Sequence, residues 1–233
     1  MPSITLKNRR IQYHVTNGRS SRYTYFRFRP DATLEIVVPG STSINVEPAI
    51  REREDWIVRQ HDKLTRSIRI LDHDSVLFNG RRLKVVFEQT RGEESIIPDP
   101  ERGLVTVRGP AKSTVKEMIR RWFLKESSSY VARALPALAR KVGARYSRAE
   151  VREVGDWGYC TREGRLSFGW QLIALPEPVR EYVLYHELVH LTERNHSVRF
   201  RARLSALLPD YRAREEELDR VVPIREEDCL GYN

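Results

Sequence analysis

The chain has 233 residues, of which 40% are hydrophobic, 31% charged and 9% aromatic, with a formal net charge of +9. That size allows one compound domain or two small ones. A mean hydropathy of −0.55 and the lack of any apolar run near the roughly 20 residues of a bilayer span exclude a membrane helix. Two cysteines, Cys160 and Cys229, make neither a disulfide framework nor an all-cysteine zinc site. The opening residues lack the apolar stretch of a secretory signal, so a cytoplasmic protein is expected. The charge is uneven: residues 1–150 hold 29 basic against 17 acidic side chains, and residues 151–233 hold 12 against 15. A basic front could receive a nucleic acid or a nucleotide. Its arginines are scattered, however, and scattered arginine also serves plain solubility.

The first 110 residues read as β-rich. Ile11–Thr16 is followed by Asn17-Gly18, a tight-turn pair, and by the alternating aromatics of Tyr23–Phe28, which predicts a hairpin. A turn at Arg29–Ala32 leads to a strand over Thr33–Val38. Val46–Leu64 carries Ile50, Ile57 and Leu64 at helical spacing beside Trp56. Ser75–Phe78 and Leu83–Phe87 flank Asn79-Gly80, and Leu104–Val107 is one more strand.

From Ser113, a candidate N-cap, the pattern turns helical as far as Val142. Pro136 should kink or interrupt that helix. Glu150–Val154 and Arg165–Trp170 read as strands around a loop at Gly155–Gly164. Pro176-Glu177-Pro178 opens a helix to about Leu191, a second helix starts near Ser197, and Pro209-Asp210 opens a last one towards Val222. Two domains are expected: a β-rich module over residues 1–110, and a helix–sheet–helix unit over residues 111–233.

The chemistry concentrates in Tyr185–Phe200, YHELVHLTERNHSVRF. In a helix, His186 and His190 lie about 40° apart in projection and one turn along the axis. Two imidazoles so placed can share one zinc ion, with Glu187 beside them as a proton acceptor rather than a ligand. His196 can be the third ligand only if the helix stops first, since in a continuous helix it would lie about 15 Å from His186. The chain must therefore turn between Leu191 and Asn195, and Asn195 tolerates the left-handed conformation that ends helices. Three histidines leave a fourth position open, as catalytic rather than structural zinc requires. The helix is apolar most of the way round, so it is expected to be buried, and burying Glu187 without a task or partner is costly.

The sequence resembles the YgjP-like metallopeptidases, relatives of the SprT and WLM zinc peptidases. The resemblance is carried by Trp157-Gly158-Tyr159-Cys160, by Gly164–Trp170 (GRLSFGW), by HELVHLTERNHSVRF and by Leu208-Pro209-Asp210-Tyr211. The front, around Asp55-Trp56-Ile57, is also similar to the family's amino-terminal part. The resemblance implies Zn²⁺ on His186, His190 and His196, Glu187 as general base, and an α+β fold with a zincin-like metallopeptidase unit behind a β-rich module. Tyr159 and Phe168-Gly169 depart from the family pattern near the expected cleft.

The implied activity is zinc-dependent peptidase action on extended polypeptide. A nucleoside-triphosphate pyrophosphatase and a DNA-associated protease of SprT or WLM type are the alternatives. Against the first of these, three nitrogen donors suit Zn²⁺ better than the Mg²⁺ of phosphate chemistry, and no Gly-rich phosphate loop is present. Tyr211 is a candidate transition-state stabiliser from its position after the motif. The strand Arg165–Trp170 could rim the cleft and pair with substrate. Cys160 could be a thiolate ligand, although a buried free cysteine is the commoner case. Trp122 and Trp170 are expected in the core. His14, His61, His73 and Glu215–Glu217 are expected to face solvent, and the tail after Pro223 to be poorly ordered.

Overall fold

The computed structural model describes residues 1–18, 23–29, 31–40, 45–65, 67–72 and 74–224. His73, Cys229 and nearly all of the tail after Pro223 lie outside the described residues. The chain is α+β, and by packing it divides into two units, Met1–Ser67 and the remainder from Ile68. The division falls at residue 67 rather than 110. The strands over residues 71–109 share one hydrophobic core with the helices that follow them.

The first unit contains β1 (Ser3–Leu6), β2 (Arg9–Gly18), β3 (Tyr25–Phe28), β4 (Leu34–Pro39), α1 (Glu47–Glu52) and α2 (Glu54–Thr65). Its sheet runs β1-β2-β4-β3, with β2 and β4 parallel and the other pairs antiparallel. The expected hairpin at Asn17-Gly18 does not form, because these residues end β2 opposite Val38 and Pro39. The tight turn falls instead at Lys7-Asn8, where both residues have positive φ (40° and 62°). Acidic side chains at the start of α2 hold that turn: Glu54 accepts the Lys7 amide at 3.1 Å, and Asp55 pairs with the Lys7 ammonium. The apolar run of β4 is buried because β4 is an inner strand, flanked on both sides. Ile4, Leu6, Ile11, Leu34, Ile36, Val38, Ile50 and Ile57 form the core. His61 is not solvent-facing as expected. Its ring packs toward Phe28 and its side chain is 15% exposed.

The second unit opens with β5 (Ile68–Arg69), β6 (Leu71–Asp72), β7 (Ser75–Phe78), β8 (Arg81–Gln89), β9 (Ser95–Asp99) and β10 (Leu104–Gly109). The sheet order is β6-β7-β8-β10-β9, with β8 and β10 parallel. The β7–β8 hairpin turns at Asn79-Gly80, as the sequence predicts, with φ of 50° and 75°. Its tip docks on the segment that leads into the helix Glu177–His190. Asn79 and Gly80 donate their amides to the carbonyls of Ile173 and Ala174 (2.9 and 2.8 Å), and a Cβ on Gly80 would lie 2.8 Å from Pro176 Cγ. The buried Arg180 adds to this joint through the Asn79 side chain and the Leu175 carbonyl (2.9 Å).

Helix α3 (Val115–Val142) is continuous through Pro136. The carbonyl deprived of its donor there belongs to Ala132, which is exposed, so water can satisfy it. The helix begins after a short 3-10 turn over Lys112–Thr114, and Ser113 does not cap it. It ends at Gly143 in the left-handed conformation (φ 66°). Within α3, buried Ser127 donates to the Trp170 carbonyl (2.7 Å) and accepts the Ile173 amide (3.0 Å). Trp170 is core, as expected, whereas Trp122 is partly buried and stacks on Phe78.

A three-stranded sheet follows: β11 (Arg148–Arg152), β12 (Gly158–Cys160) and β13 (Arg165–Gly169), in the order β11-β13-β12. Then come α4 (Glu177–His190), α5 (Val198–Leu207), α6 (Tyr211–Leu218) and β14 (Val221–Val222), which pairs with β5. No helix among the described residues is long and apolar enough to cross a membrane.

Candidate metal centre

Helix α4 is buried on most sides through Val179, Tyr182, Val183, Leu184, Tyr185, Leu188 and Val189. The chain reverses after Leu191. The amides of Thr192 and Glu193 both bond to the Val189 carbonyl, and Ser197 donates to the Asn195 carbonyl (2.8 Å). No residue between Leu191 and Ser197 has positive φ, so Asn195 does not supply the expected left-handed stop. Arg194 fastens the reversal to the loop after β12 by donating to the carbonyls of Thr161 (2.7 Å) and Arg162 (3.1 Å). Ser197 then caps α5, accepting the Phe200 amide at 3.4 Å.

This path brings the three sequence-predicted histidines together. The Nε2 atoms of His186, His190 and His196 lie 3.1, 3.1 and 2.9 Å apart. Phe200 packs against all three rings, with centroid separations of 4.9, 4.6 and 4.8 Å. Nothing in the spacing of the motif pointed to Phe200. Among the described residues, His186, His190 and His196 form the group whose potential ligand atoms converge.

An outer hydrogen bond fixes which ring nitrogen of His190 carries its proton. His190 Nδ1 faces the Glu193 carbonyl at 2.9 Å, and a carbonyl only accepts, so the proton is on Nδ1. Tyr182, one turn before His186, has its hydroxyl 3.1 Å from Glu215 Oε1 and 3.3 Å from His186 Nδ1. The Nε2 lone pair of His190 therefore faces the Nε2 atoms of His186 and His196, an arrangement suited to a shared cation. Three nitrogens at about 2.0–2.1 Å from a tetrahedral ion would lie about 3.3 Å apart, so the triangle is close to what zinc requires. Burial, reinforced by the two other rings, pushes His186 down to about 3, and burial also lowers His190. The neutral, ligating form is thus favoured.

Glu187 is 5% exposed, and its Oε2 has no hydrogen-bond partner. Burial, with a smaller contribution from Asp156, pushes it up to about 8. The neighbouring strand is shaped around it. A Cβ on Gly158 would come within 2.9 Å of Glu187 Cγ, and one on Gly169 within 2.4 Å of the Asp156 carbonyl. Glycine at both positions lets β12 and the segment before it close over this carboxylate.

Other expected site features fall as follows. Tyr211 is buried and lines a cleft of about 500 Å³ together with His186, His196, Arg212 and Glu215. Its hydroxyl accepts from Arg212 Nε at 3.3 Å. Strand β13 is not a rim: it is paired on both sides and largely buried, and the edge strands are β11 and β12. Phe168 is fully buried in the core and pairs with Gly158 of β12, while Tyr159 lies on β12 and accepts from Arg152 at 3.2 Å. Cys160 is not within the ligand cluster. It is a half-buried free thiol raised by burial. Glu215, Glu216 and Glu217 are exposed as expected, and Glu215 also accepts from Tyr182.

Residues 22–221 match the family model described as YgjP-like, metallopeptidase domain. No curated protein and no solved structure matches the chain.

Proposed function

The chain belongs to the YgjP-like metallopeptidase family, and from that premise we propose that it is a zinc-dependent peptidase acting on extended polypeptide segments. In this reading His186, His190 and His196 hold the ion, and Glu187 is the general base. The observation that carries it is the convergence of three Nε2 atoms within 3.1 Å of one another beside a buried carboxylate without a partner. The three-stranded sheet with α3, α4 and α5 is read as zincin-like. The all-nitrogen donor set favours zinc over magnesium.

A zinc ion held on these nitrogens would supply Lewis acidity for the scissile carbonyl and the attacking water. Glu187 takes the proton from the attacking water and delivers it to the leaving amine. Burial keeps the proton affinity of Glu187 high, which suits a group that must accept a proton and then release it. The Tyr211 hydroxyl, on the cleft wall with His186 and His196, donates to the developing oxyanion. Edge strand β12 offers main-chain partners to an extended substrate.

The test assays the zinc-loaded protein on an unfolded polypeptide, on a panel of nucleoside triphosphates and on DNA-bound protein, with metal content measured on the same sample. Cleavage of free polypeptide, lost in Glu187→Gln at unchanged metal content, is expected. Hydrolysis of triphosphates alone, or cleavage only of DNA-bound protein, would replace this reading with the corresponding alternative.

A further inference from the structure

We infer that Tyr182 and Glu215 form a brace that fixes His186 as an Nε2 donor and makes ion retention depend on helix α6. The inference rests on the metal-centre reading above and extends it to residues that touch no substrate.

Tyr182 precedes His186 by one helical turn, so both side chains leave the same face of α4. Its ring is 2% exposed, and its hydroxyl lies between His186 Nδ1 (3.3 Å) and Glu215 Oε1 (3.1 Å). An ionised carboxylate only accepts, so the hydroxyl proton points at Glu215. The lone pair left on the hydroxyl oxygen then accepts from His186 Nδ1–H, which leaves Nε2 free to ligate. Outer partners of this kind orient a ligand ring and select its tautomer.

The three ligands differ in how they are held. His190 is braced within its own segment, by the Glu193 carbonyl. No hydrogen bond to His196 Nδ1 occurs among the described residues. Only His186 is tied to a separate helix. Glu215 is otherwise exposed, and α6 is held against α4 by Arg214, which donates to Glu181 (2.8 Å) and to the Pro178 carbonyl (3.0 Å). Tyr182 and Glu215 are therefore positioning residues.

The experiment measures Zn²⁺ affinity by chelator competition, and the tautomer of His186 in the ion-free protein by nitrogen NMR. The proteins compared are the wild type, Tyr182→Phe, Glu215→Ala, Glu215→Gln and the Tyr182→Phe/Glu215→Ala pair. Tyr182→Phe keeps the buried ring and should weaken zinc binding about ten- to a hundredfold, with His186 losing its uniform Nδ1–H form. Glu215→Ala on the exposed helix should weaken binding several-fold. Glu215→Gln should restore most of that loss, because its amide oxygen still accepts. The double variant should match Tyr182→Phe alone, because the two residues act in series. Tyr182→Phe within twofold of wild type, with its tautomer unchanged, overturns the brace and leaves the metal centre standing. Wild-type protein that binds no zinc, or His186→Ala that binds it equally well, overturns the metal centre and the brace with it.

Discussion

Two glutamates, one in each unit, are equally hidden from solvent and oppositely placed. Glu35, 6% exposed on β4, accepts from Arg27 at 2.6 Å and from Arg29 at 3.2 Å. Its hydrogen bond with Arg27, more than any other influence, holds it below the usual carboxylate range. Glu187, 5% exposed on α4, has no partner for Oε2 and is pushed up to about 8. A buried charge that is answered stabilises a sheet. A buried carboxyl left unanswered costs stability and keeps its lone pairs available for chemistry.

Exchanging each residue for glutamine should separate the two roles most widely. Glu187→Gln is expected to reduce peptide cleavage roughly 10²–10⁴-fold with zinc content intact, whereas Glu35→Gln should leave cleavage unchanged and cost about 1 kcal/mol, because Arg27 is largely exposed. Steady-state assays and denaturant titration check both.

Gly158→Ala tests whether the space around Glu187 is needed. The added methyl would meet Glu187 Cγ at 2.9 Å, and displacement of the carboxyl should lower kcat about ten- to a hundredfold with zinc affinity preserved. A normal kcat would show that the strand yields and that the close approach is incidental.

Chelation should destabilise the second unit by about 2.7 kcal/mol relative to protein in zinc at a hundredfold excess over Kd. Hydrogen exchange would show the loss in α4 and α5, with the amides of β1–β4 unaffected.

The last test is the pH dependence, whose sign differs between the two carboxyls. Glu35 has a folded pKa below the unfolded one, so its contribution is present above the ordinary carboxylate range and is lost as pH falls through the folded value. Glu187 has a folded pKa raised to about 8, so in ion-free protein its neutral form favours folding at low pH and that advantage disappears as pH rises through about 8. Thermal melts of each glutamine variant from pH 3 to 9 should lose the corresponding slope. Parallel curves for wild type and variants would refute the assignment.

The site was legible where local geometry decided it. A four-residue spacing on one buried helix, with a third histidine past a forced turn, was enough to bring His186, His190 and His196 together. The hairpin at Asn79-Gly80 was legible for the same reason, since two residues of suitable type sit between two apolar runs. Features set by distant packing were not. Phe200 reads as an ordinary core residue, and Tyr182 as part of an apolar helix face, until α5 and α6 fold back onto α4. Strand β9 carries Pro98 and follows a charged stretch, so its pattern is weak. Strand β12 hid in a presumed loop because three residues give no periodicity. Asn17-Gly18 offered a turn, yet the buried run of β4 required a partner on both sides and drew β2 in parallel, so the turn formed at Lys7-Asn8. The boundary expected at residue 110 followed a change in element type, whereas the core follows contacts, and these join the β7–β10 sheet to α3.

The brace on His186 also has a place in time. During vectorial synthesis the third imidazole leaves the ribosome before Glu215, which lies nineteen residues further on. If the proposed brace holds, a nascent chain would gather a metal loosely on its three rings, and the grip would tighten only when helix α6 emerges and docks, so that maturation of the centre would be ordered by the direction of translation.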